Sequence, residues 1–236
     1  MLNTVVAESL KVYADRLENA PDFETALHEM IKETIKDHKR IIFNGNGYDD
    51  AWIKEATEVR GLLNYRTTAD CMPHLLDEKN VRMLTSLGVF TEDELRSRRD
   101  IMLENYVKTV LIEANTMVNM VHKRIAPAIT RFAADLAKEA SEKKALSPAL
   151  ACRYETSLVE KLSALTDQIA ERSDALAAAV EGLQSAEDIL EEAALIRDTV
   201  LPRMAELRIP CDQAELLTAK RYWPFPTYGD ILFSVK

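Results

Sequence analysis

The sequence predicts an all-α protein: long, kinked, antiparallel helices forming a bundle or helical hairpin, followed by an irregular aromatic C-terminal tail. Three observations carry that expectation. No glycine falls between Gly88 and Gly182, and no proline between Gly88 and Pro127. Leu158, Leu162, Leu165, Ile169, Leu176 and Leu183 recur at 4-3-4-7-7 spacing, a heptad seam interrupted on that face only by Arg172. From Thr91 to about Ala140 the pattern stays helical for about 50 residues, roughly 75 Å at 1.5 Å per residue, against about 11–12 residues for an average globular helix.

The elements follow in chain order. Asn3 to Glu18 places Val6, Leu10, Tyr13 (or Ala14) and Leu17 on one face of an amphipathic helix. Pro21 and Asp22 stop it, and a second helix from Phe23 to His38 turns Leu27, Met30 (or Ile31) and Ile35 inward. Ile41-Ile42-Phe43 enters a sharp reversal at Asn44-Gly45-Asn46-Gly47, where both Asn-Gly pairs tolerate positive φ. Asp49 or Asp50 caps a helix reaching Arg60, with Gly61 placed to end it. The stretch LLNYRTTADCMPHLL reads as loop, broken by Pro73, and Asp77 to Leu87 as a short helix closed by Gly88.

Thr91 and Glu94 form a capping box at the head of the long rod. Leu95, Met102, Tyr106, Val110, Ala114, Met117 and Val121 mark its buried face, and Met102, Met117 and Met120 read as core filler. Pro127 kinks the rod by removing a backbone donor. Ser147-Pro148 is expected to cap the next helix, with proline at its first position. Gly182 and Ser185 turn the chain into a third helix carrying Ile189, Ala193, Ile196, Val200, Met204 and Leu207, kinked at Pro202. In the tail RYWPFPTYGDILF, two prolines and a glycine exclude helix, and Tyr222, Trp223, Phe225, Tyr228 and Phe233 read as docking anchors.

Charge and cysteine usage narrow the function classes. The net charge is −9, and residues 153–198 carry eleven acidic against four basic side chains, a local net of −7. Such a surface repels phosphate backbones and anionic lipid, so nucleic acid and membrane are not expected partners. Cys71, Cys152 and Cys211 form neither a disulfide framework nor a zinc ladder, which fits a reduced, cytoplasmic protein. His28, His38, His74 and His122 lack metal-binding spacing, and NGNGY lacks the patterns of a phosphate cradle. Neither a nucleophile elbow nor a Cys–His pairing appears.

The runs RIIFNGNGYDDAWIKEATEVRGLLNYRTTADCMPHLL, GVFTEDELRSRRDIMLENYVKTVLIEANTMVNM and RDTVLPRMAELRIPCDQAELLTAKRYWPFPTYGDILF, ordered along the chain, resemble the C-terminal portion of type III glutamine synthetases. The resemblance implies a parent enzyme that joins ammonia to glutamate using ATP and a divalent metal, Mg. It also implies stacked rings of subunits with active sites between neighbours. In that family the metal-binding residues, the nucleotide site and the phosphate-contacting arginines lie upstream of the segment matched, so no catalytic, cofactor-binding or metal residue carries over. The implied organisation is a helical remnant of the catalytic domain over residues 1–48, a helical connector over 49–90 and a long-helix bundle with docking tail over 91–236. The expected partners are the rest of the synthetase catalytic domain and neighbouring subunits of a homo-oligomer. The competing expectation is a free-standing helical interaction or regulatory module.

Overall fold

A computed structural model describes residues 1–233. Among them every regular element is helical, in two compact units, Met1–Met102 and Leu103–Lys236.

The first unit opens with α1 (Leu2–Glu18) and α2 (Phe23–His38), which pack on one another, Arg16 bridging to Glu33 at 2.6 Å. A 3-10 turn (Lys39–Ile41) leads through the Asn-Gly loop to α3 (Asp50–Lys54). Asp49 caps α3 by accepting from the Ala51 amide at 3.0 Å. The helix widens into a π-helical turn (Glu55–Val59), and Gly61 leaves it at φ +64, a conformation that costs glycine nothing.

The expected loop before Pro73 is helical instead: α4 (Thr68–Cys71) runs into a 3-10 turn (Met72–Leu76). Its cause is a second capping box, Thr67 with Asp70, overlooked in the sequence. Pro73 sits early in the 3-10 turn, where its missing N–H has no partner to lose. Next, α5 (Glu78–Ser86) ends in a Schellman motif, with Gly88 N–H donating to Thr85 and Val89 N–H to Leu84, both at 3.0 Å. Leu75, Leu84 and Leu95 form this unit's core, with Leu76, Val81, Met83 and Phe90 packed against it.

The long helix α6 (Glu92–Met120) starts on the expected box, the Thr91 amide donating to Glu94 at 2.8 Å. Its buried stripe runs through Leu95, Leu103, Val107, Val110 and Ala114. Met102 is therefore not core filler: it is exposed, and its neighbour Leu103 takes the buried position. Met117 and Met120 are half-buried.

In the second unit a π-helical turn (Val121–Ile125) joins α6 to α7 (Ala126–Leu146). Pro127 falls at the head of α7, so the wider turn absorbs its missing donor, and the Ala126 amide reaches back to Val121. Ser147-Pro148 does not cap the next helix. Ser147 starts a turn closed by the Leu150 amide at 3.1 Å, and Cys152 at φ 47 aims the chain into α8 (Arg153–Gly182). Reversing between two packed helices needs those extra residues.

α8 is the central rod, packed on α7 and on α10 (Leu201–Leu217). The pairs Lys143–Glu155 and His122–Ser173 run in opposite chain order, as antiparallel helices require. All six seam residues from Leu158 to Leu183 are buried. Beyond Gly182 a 3-10 turn leads to α9 (Ile189–Leu195), capped by Asp188, and a third π-helical turn (Ile196–Val200) precedes Pro202 in α10. The expectation that the tail excludes helix fails: α11 (Tyr228–Leu232) forms on a third box, Thr227 with Asp230, because both prolines precede the cap. Among the described residues no helix is long and apolar enough to cross a membrane.

Candidate docking surfaces

The tail is built on the end of α10, where Thr218 donates to the Ala214 carbonyl at 2.7 Å. Tyr222 lies against α7. Its ring is 5.0 Å from that of Phe132, and its hydroxyl donates to Asp135 at 2.5 Å. That carboxylate, then burial, pushes the phenol above its ordinary range, and the Arg221 guanidinium over the ring partly offsets them. Trp223 and Phe225 meet edge-to-face at 6.2 Å and are half-buried. Lys220 pairs with Asp230 at 2.5 Å; that bond first, then two from Thr227, holds the carboxyl down at about 2. Tyr228 opens α11, and its side chain lies outside the described ones. Phe233 is 84% exposed beside exposed Ile231 and Leu232. Tyr222, Trp223, Phe225 and Phe233 thus do not form one cluster.

A second surface escaped sequence reasoning. Phe43 and Trp52 stack at 3.7 Å, and the Arg60 guanidinium lies 4.8 Å from the Trp52 ring. Arg60 also donates to Glu55 through two nitrogens and to the carbonyls of Arg40 and Ile42. One side chain therefore clamps both ends of the Asn-Gly loop, after which Tyr48 is 97% exposed. Gly45 sits so close to Phe43 that an added Cβ would lie 2.6 Å from its ring. The readable signal was an arginine following Phe43 and Trp52 across a reversal.

The polar chemistry elsewhere is local. His74 accepts or donates at 3.1 Å to Asp77 and stacks on Tyr65, and His122 meets Ser173 at 3.2 Å. Among the described residues no three His, Cys, Asp or Glu side chains gather as metal ligands. Burial pushes the Cys211 thiol up to about 11, which suits packing and not nucleophilic attack. A groove of ≈ 600 Å³ in the first unit is lined mainly by Leu75, Phe90, Ile101 and Met102, with Arg98 and Glu94 at its polar side.

Residues 26–144 match the glutamine synthetase C-terminal domain, a stretch from within α2 to near the end of α7. The chain belongs to that family. Among curated relatives, this C-terminal domain is 38% identical over 218 residues to glutamine synthetase of Butyrivibrio fibrisolvens, covering 91% of this chain and 31% of that one. It is 29% identical to the type-3 glutamine synthetase of Dictyostelium discoideum, covering 99% of this chain and 32% of that one. Against glutamine synthetase of Bacteroides fragilis it is 26% identical, covering 99% and 33%. The chain spans about a third of the length of these relatives. The family match takes in the Arg60 clamp and all of α6, while the curated matches extend across nearly the whole domain.

Proposed function

We propose that this domain is the architectural, helical part of a type III glutamine synthetase. The whole enzyme would ligate ammonia to glutamate with ATP and Mg, and the reacting atoms would be handled by polypeptide other than these residues. The observation carrying this reading is how the domain's carboxylates are employed. Glu94 is bonded to Thr91, Glu155 to Lys143, Asp135 to Tyr222, Asp230 to Lys220 and Thr227, and Glu55 to Arg60. Those bonds cap helices and tie elements together. Metal-assisted phosphoryl chemistry needs several carboxylates free to converge on one ion, and the employment of these five in caps and ion pairs supports placing that chemistry elsewhere.

In the assembled enzyme the α7–α8–α10 bundle supplies a rigid strut. The tail, with exposed Ile231, Leu232 and Phe233, would contact a neighbouring subunit of a cytoplasmic homo-oligomer. Incubated with glutamate, ammonia, ATP and Mg, the isolated domain should release no phosphate above a protein-free control; turnover would overturn the catalytic half of the reading. Deleting residues 220–236 from a full-length synthetase carrying this domain should lower its mass in light scattering. Unchanged mass would remove the tail from the assembly.

A further inference from the structure

Helix α1 is built inside out. Leu2, Val6 and Leu10 follow at four-residue spacing on one face, yet they are 80%, 53% and 61% exposed. The residue α1 buries is Thr4, at 8% exposure, with Glu8 half-buried one turn on. The helix packs on α2 and α5, and its first half buries Thr4 and half-buries Glu8 while leaving the apolar stripe in water. Tyr13 and Leu17, which continue the stripe, are half-buried, so only its first three members stand bare. On α2, Ile31 and Ile35 repeat the pattern at the same spacing, both exposed. The sequence expectation that Val6, Leu10 and Ile35 face inward is corrected here: periodicity finds the stripe and leaves open which side the core is on.

We infer that the Leu2–Val6–Leu10 stripe is a seam for the synthetase polypeptide that relatives carry outside the third matched here. This rests on the architectural reading above and names its surface. A second copy is the obvious rival occupant, but three side chains from each copy fall far short of the roughly 800 Å² per partner of a stable interface. Polypeptide in the same chain needs no such area, because tethering makes its docking intramolecular. The relatives carry about twice as much chain again beyond the matched third. Charge also argues against self-pairing: Lys11 and Asp15 satisfy each other at 2.6 Å and Arg16 is paired with Glu33, leaving little to steer one α1 onto another.

The test compares one double substitution in two settings, the isolated domain and a chimera in which residues 1–236 replace the matching third of the Butyrivibrio fibrisolvens synthetase. V6E/L10E should leave the melting temperature of the isolated domain unchanged and lower that of the chimera by at least about 5 °C. The milder V6S/L10S should move it in the same direction by less. If the chimera makes glutamine and V6E/L10E does not move its melting, the stripe is not the seam, although the architectural reading stands. If the chimera makes no glutamine and the domain melts in it as it does alone, that reading fails and takes the seam with it. A dimer of the isolated domain in sedimentation, dissolved by V6E/L10E while the chimera stays unmoved, would make a second copy the occupant and overturn the inference.

Discussion

Residues 1–102 and residues 103–233 are both helical, but they treat apolar side chains in opposite ways. In the second unit α8 lies between α7 and α10, and Leu162, Ile169 and Leu176 are fully buried along it. The first unit gathers a small core at Leu75, Leu84 and Leu95 while Leu2, Val6, Leu10, Ile31 and Ile35 face water. Helix content therefore says little about whether a segment completes its own core. The decisive property is whether each apolar stripe meets another stripe within the chain.

The sharpest way to break that contrast is to cut the seam. Ile169→Ala should cost about 3 kcal/mol in chemical denaturation, the transfer and cavity penalty for a buried aliphatic. A loss under about 1 kcal/mol would show that the seam is not the core. Arg172→Ala comes next, at about 1 kcal/mol. Pro210 inside α10 cannot donate to the Glu206 carbonyl, and Arg172 does so instead, at 2.7 Å. Pro210→Ala returns the missing N–H, so in a double-mutant cycle the Arg172 substitution should lose most of its effect; strict additivity would refute the pairing.

Ile35→Ser, at an exposed position of the first unit, should stay within about 0.5 kcal/mol. A cost like that of Ile169 would mean the two units do not differ. The smallest effect lies in the tail. Asp230 sits at about 2 when folded, below the ordinary carboxylate value of about 3.9. Its contribution is thus complete above pH ~4 and lost as pH falls towards 2. The Thr227 amide resonance should shift over that range, and a midpoint near neutrality would contradict the Lys220 pairing.

Much of the second unit was legible. Leucines at 4-3-4-7-7 spacing can satisfy their packing only along a helix seam, so Leu158 to Leu183 were placed correctly. Arg172, which interrupts that face, was visible but its purpose was not, because a carbonyl freed by Pro210 thirty-eight positions later leaves no local trace. Of three threonine capping boxes only the one at Thr91 was recognised. The box at Thr67 is followed by Pro73 and the one at Thr227 directly follows Pro226, and the prolines were given too much weight. Tyr222, Trp223, Phe225, Tyr228 and Phe233 were singled out by aromatic density alone. Density does not distinguish Tyr222, bonded to Asp135, from Phe233, standing in solvent. The Arg60 clamp was missed for a related reason: it acts through backbone carbonyls, which every residue possesses.

The π-helical turn at Val121–Ile125 restricts how this chain can change length. Such a turn holds one residue more than the α-helical path it replaces. Deleting that extra residue would let α6 and α7 run on as one regular helix with the faces on either side still in register, whereas a deletion that the turn does not absorb would rotate everything downstream by roughly 100°. Ile129, Phe132 and Leu136 would swing away from α8. Away from that turn, a one-residue gap that a surface loop would tolerate would act like a frameshift in packing, turning the inner side of a whole helix outward.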